Sequence, residues 1–128
     1  MRTVHTHFPD GFVVASGPDD LARDYRDIHR LALSNPVSHT LSMALIRWPE
    51  VRQARRVERL DAIRRAVKAI GAPRRATEDS TAMLLGLSGA YASWRMHELY
   101  GLPLSRVPNR IVFTVELIVD DLRRKSVA

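Results

Sequence analysis

At 128 residues, 45% of them hydrophobic and 27% charged, the chain is sized for one globular domain and is too apolar for wholesale disorder. The absence of cysteine excludes disulfides, thiol nucleophiles and cysteine zinc sites, and fits a cytoplasmic protein. A net charge of +6 points to a polyanionic partner without identifying it.

Nearly all the positive charge is arginine, with Lys68 and Lys125 the only lysines. The planar guanidinium suits phosphate and base edges, while a GC-rich genome would enrich arginine whatever the function. No stretch approaches the roughly twenty apolar residues of a membrane span, and the N-terminus lacks the apolar core of a signal peptide. A soluble, intracellular protein with no membrane partner is expected. Residues 1–128 are read as a single, mainly α-helical domain.

Residues 1–16 read as a small β-hairpin. Val4, Thr6 and Phe8 alternate with His5 and His7. Pro9-Asp10-Gly11 supplies a turn, and Phe12-Val13-Val14 resumes the extended run. The two histidines would share one face. No third ligand is near them in sequence, so a solvent-facing edge is expected and no metal site.

Helices are expected over 17–71. Pro18 suits a first helical position, and Asp19 and Asp20 complement the helix dipole. Leu21, Tyr25, Ile28 and Ala32 follow at helical spacing. Arg23, Asp24, Arg26, Asp27 and Arg30 would form a solvated face of mixed charge. Asn35-Pro36 ends this helix and opens a second, striped by Val37, Leu41, Ala44, Leu45 and Trp48. Pro49 imposes a boundary.

Residues 50–70 read as a helix whose second half carries the core stripe Leu60, Ile63, Val67 and Ile70. A break near Val57 fits the pattern equally well. Arg52, Arg55, Arg56 and Arg59 share a separate face, able to track a phosphate backbone or simply to solubilise the surface. Gly71-Ala72-Pro73 stops the helix, and Arg74 and Arg75 follow.

The stretch from 77 to 100 contains STAMLLGLSGAYASWRMHELY. Ala82 is small enough for a close helix crossing, and Gly86, four positions on, can make a turn. Leu85 and Leu87 flank it as a buried pair, and Ser88 can cap a second helix lined inside by Ala92, Met96 and Leu99. On Ala82, Leu85, Gly86, Leu87, Ser88 and Ala92 the stretch resembles the helix-turn-helix of bacterial and phage DNA-binding regulators. It departs from that pattern at Arg95, where an apolar residue is usual.

The resemblance implies a transcriptional regulator that binds a two-fold operator in double-stranded DNA as a dimer. Its second helix would enter the major groove with Ser88, Gly89, Ser93, Trp94, Arg95 and His97 facing outward. Arg95 would read guanine and Ser93 would add a hydroxyl contact. Arg74, Arg75 and the arginines at 52, 55, 56 and 59 would hold phosphates. The plainer alternative is a pair of core helices, with Tyr91 and Trp94 buried or Trp94 at a protein interface.

Gly101-Leu102-Pro103 terminates this unit. Residues 107–125 fit either a strand, by clean alternation and β-branching, or a helix, by a broad stripe with cations at its end. Either form leaves Phe113 and Leu117, or the opposite strand face, in need of cover. Association into a homodimer through this segment is therefore expected.

The motifs of nucleophilic catalysis and of nucleotide binding are absent from the sequence. The adjacent carboxylates Asp120-Asp121 and Glu78-Asp79 do not converge as an acid–base pair would. The expectation is no enzyme, no cofactor and no catalytic residue. The first functional reading is a small basic DNA-binding regulator. The alternative is a protein-binding module of a phage or mobile element, acting through the apolar C-terminal surface and Trp94.

Overall fold

The computed structural model describes residues 17–34, 37, 40, 44, 47–88 and 90–127. All regular structure among the described residues is helical, so the chain is mainly α. The hairpin expected at 1–16 lies outside the described residues, as does most of the helix expected at 37–48.

Gly17, at φ 115°, admits the chain to a 3-10 turn at Pro18–Asp20, and α1 follows from Leu21 to Ser34. Leu21, Tyr25 and Ile28 are buried as the spacing predicts. Asp24 is a correction: its position in the sequence predicts a solvated face, yet it is 1% exposed. The reason is that α1 is covered on two sides, chiefly by the C-terminal helix and also by the helix over 90–98. Its buried arc widens to take in Asp24 and His29 beside the apolar stripe.

Helix α2 runs unbroken from Pro49 to Lys68, with Pro49 at its first position and no interruption near Val57. Its second half buries Ala62, Ile63, Ala66 and Val67. Its first half leaves Val57 exposed, and Trp48 just before it is exposed too. The core-packed second half is as the stripe predicts, whereas Arg59 of the expected outward arginine face is half-buried. Gly71, at φ 83°, turns the chain, and α3 spans Arg74–Gly86. A short turn leads to α4, Ala90–Glu98.

After a 3-10 turn at Leu104–Arg106, α5 spans Val107–Ser126. Its buried stripe is Val107, Ile111, Val115, Val119 and Leu122, at helical spacing. The choice between strand and helix is thus settled as helix. Burying one stripe against α1 outweighs the β-preference of its branched residues. Asp121 accepts a bond from Lys125 Nζ at 2.9 Å, which holds its carboxyl below the usual range. The core joins α1, α2, α3 and α5 in one apolar cluster.

Candidate nucleic-acid interface

The five residues between α2 and α3 are too few for anything but a tight reversal, so α3 packs back along α2. Pro73 precedes the first helical residue, and its carbonyl accepts the Thr77 N–H at 3.0 Å. The Thr77 hydroxyl donates to the Ala72 carbonyl at 3.2 Å, and the Thr81 hydroxyl to the Thr77 carbonyl at 2.7 Å. Both threonines therefore turn their polar atoms onto the backbone and help to line a groove between the helices.

That groove encloses about 730 Å³. Leu60, Ala72, Ala82 and Leu85 give it apolar walls, while Arg64, Lys68 and Arg74 supply positive charge. A second, shallower cleft lies between Asp61, Arg64, Arg65 and Lys68 on α2. Arg64 and Lys68 thus face both hollows, being one helical turn apart. Two cations in the area are engaged: Arg64 lies 4.0 Å from Asp61, and Arg74 Nε donates to Glu78 at 2.9 Å. The Glu78 bond raises the Arg74 pKa above its ordinary value. Arg65, Lys68 and the exposed Arg75 form no ion pair among the described residues.

The α3–α4 junction departs from the helix-turn-helix spacing in its details. The chain does break there, but Gly86 itself does not take a positive φ. Gly86 is the last residue of α3, and Leu87, at φ −91° and ψ −3°, makes the turn. Ala82, expected at the helix crossing, is exposed.

The carbonyls at the end of α3 accept the Leu87 and Ser88 N–H groups of the turn, and side chains add further donors. Tyr25 OH donates to the Leu84 carbonyl. His29 Nε2–H donates to Leu87 at 2.7 Å, and the Ser88 hydroxyl to Leu85 at 2.7 Å. The His29 imidazole is pushed down to about 4 by burial, against the opposing influence of its bond to Leu87. Burial raises the Tyr25 phenol, and the nearby Arg59 charge partly offsets that.

Ser88 and Ser93 are both fully buried. The expectation that they face outward is therefore corrected. Helix α4 docks on α1, and buried small side chains such as Ser93 permit the close approach. The phase of α4 is turned accordingly: Met96 packs on the core, while Leu99, expected inside, is 63% exposed.

Of the other residues assigned to DNA, Arg74, Arg75 and Arg95 are exposed. Trp94 is half-buried. His97 is also half-buried, and its Nδ1–H donates to the Leu102 carbonyl at 2.8 Å, closing the end of α4 beside Gly101. Arg59 is half-buried and acts on Tyr25 from within the fold. The side chains of Arg52, Arg55 and Arg56 lie outside the described residues, as does Gly89.

Sequence reasoning passes over Arg64, Arg65 and Lys68. The signal is there: with 60, 63, 67 and 70 inward, positions 64, 65 and 68 fall on the outer arc of the same helix.

Among the described residues, no group of three or more His, Cys, Asp or Glu side chains is placed to hold a metal ion. No described helix is long and apolar enough to cross a membrane. Comparison with protein-family models, with curated proteins and with solved structures finds no match to this chain.

Proposed function

We propose that this protein is a small intracellular DNA-binding protein, without catalytic activity, that grips the phosphate backbone through the cationic surface of α2 and α3. The observation that carries the reading is the convergence of Arg64, Lys68 and Arg74 on one groove, with Arg65 in the adjoining cleft and the exposed Arg75 next to Arg74 in sequence. Cations so placed displace counterions from a duplex and need no base contact to do so. The helix-turn-helix resemblance adds a role in transcription. On that reading Arg95, an exposed cation of α4, would meet a base edge, whereas Ser88 and Ser93 are buried. Two copies associated through α5 would double the cationic surface.

The test is duplex binding measured by anisotropy across a salt series. Charge reversal of Arg65 and Lys68 to glutamate weakens binding at low salt by at least about tenfold. It also lowers the slope of log affinity against log salt by about one for each phosphate no longer neutralised. Arg95→Ala changes sequence preference if α4 reads bases and leaves the salt slope nearly intact. Unaltered binding by the Arg65/Lys68 variant, or no binding by the wild type at low salt, overturns the proposal.

A second reading rests on α5, where Phe113 and Leu117 are 47% and 52% exposed. A protein-binding module would use that face and the half-buried Trp94, and its affinity would respond little to salt.

A further inference from the structure

Helix α5 has two stripes. One, through Val107, Ile111, Val115, Val119 and Leu122, is buried. Opposite it on the cylinder run Arg106, Arg110, Phe113, Leu117, Asp120 and Arg124, all exposed. The outer spacings are 4, 3, 4, 3 and 4 residues, the alternation of a coiled-coil seam. Nothing within the fold requires a heptad there, because that face touches none of the core.

The chemistry along the seam is ordered. Cations come first, the two apolar residues stand in the middle, and an acid and a last cation follow. The Arg110 guanidinium lies 4.8 Å over the Phe113 ring, which orders the first half of the apolar step.

We propose that α5 pairs with α5 of a second copy in antiparallel register about a two-fold axis on the outer face, level with residue 115; this rests on the two-copy reading above. That axis places Phe113 against the partner's Leu117, and Leu117 against the partner's Phe113. It also sets Arg110 against the partner's Asp120, twice by symmetry. A parallel pair would stack Arg110 on Arg110 and Asp120 on Asp120, so charge selects the antiparallel form. Asp120 forms no ion pair among the described residues and remains open to this contact. The register's one like-charge meeting, Arg106 with the partner's Arg124, falls near the helix ends. There Asp121, 3.6 Å from Arg124, tempers it. Two apolar residues per copy make a weak dimer, one that forms and dissociates with concentration.

Sedimentation analysis of the full chain tests the pairing, with circular dichroism to confirm folding of each variant. The wild type self-associates reversibly. Arg110→Asp and Asp120→Arg each raise the dimer dissociation constant about tenfold, because two ion pairs are replaced by two repulsions. The double variant R110D/D120R returns it to near the wild-type value; in a parallel dimer like charges would meet in every variant, so neither single change would raise the constant and there would be nothing to restore.

Because the chain has no cysteine, single introduced thiols report position. Under mild oxidation, R110C mixed with D120C gives a disulfide-linked heterodimer. R110C alone does not, since its two copies stand roughly 15 Å apart along the axis, beyond the about 7 Å between Cα atoms that a disulfide can span. Self-linking of R110C overturns the register but keeps the dimer. A wild type that stays monomeric at every concentration overturns both.

Discussion

Helix α1 meets its neighbours in two different ways. Toward α5 the contact rests on apolar side chains such as Leu21, Ile28, Val115 and Leu122. Toward the α3–α4 junction it is pinned by polar groups: Tyr25 to the Leu84 carbonyl and His29 to Leu87, with Ser88 and Ser93 of the junction and α4 buried as well. An apolar seam is non-directional and weakens in proportion to the area removed from it. A buried polar pin is directional, gains little net, and costs heavily when one partner is removed. One helix thus carries a forgiving interface and an exacting one.

The sharpest way to break the comparison is to put a charge into the apolar side. Val115→Asp buries a carboxylate with nothing provided to pair it, and should cost about 4 kcal/mol or more. Denaturant titration should find the variant largely unfolded; a cooperative transition near the wild-type midpoint would refute the description of that seam.

Next in size is pH. Neutral His29 is held in the fold with its pKa at about 4, against 6.5 when unfolded. Between those values the unfolded chain takes up a proton and the folded chain does not. Stability therefore falls as pH drops from about 6.5 to about 4, by about 3 kcal/mol in total at full burial. His29→Gln keeps a donor for Leu87 and removes the titration, so its urea midpoint should vary much less over that window. Equal slopes for both proteins would refute the assignment.

Tyr25→Phe comes third. It leaves the Leu84 carbonyl without its hydroxyl donor at little change in volume, and should cost about 1–3 kcal/mol by urea titration. Smallest is Asp121→Asn at the exposed end of α5, where removing the bond to Lys125 should leave the denaturation midpoint within error.

The same contrast separates what is readable from the residues alone and what is not. Apolar stripes are legible: Leu21, Tyr25 and Ile28 in α1, and Ile63 and Val67 in α2, are buried where periodicity places them. Helix boundaries at Pro18, Pro49, Gly71 and Gly101 are legible because proline and glycine constrain the backbone locally. Polar burial is not. Asp24 looks like one charge among five on a solvated face, and nothing in its neighbours in sequence reveals that it is buried. The candidate site is half legible. Arg74 and Arg75 are exposed as expected, whereas Arg59 turns inward and Ser88 and Ser93 are enclosed. The motif specifies a turn and a following helix, but the spacing Ala82–Gly86–Ser88 does not say which side of that helix meets the protein.

By itself the amino-acid order determined helical class, most boundaries and the apolar faces, because each depends on residues within a few positions of one another. Only the tertiary structure decided that α5 is a helix, that α4 turns its serines inward, and that Arg64, Lys68 and Arg74 share one groove. Those outcomes depend on which elements lie side by side, and that is set by the joint burial of several stripes at once.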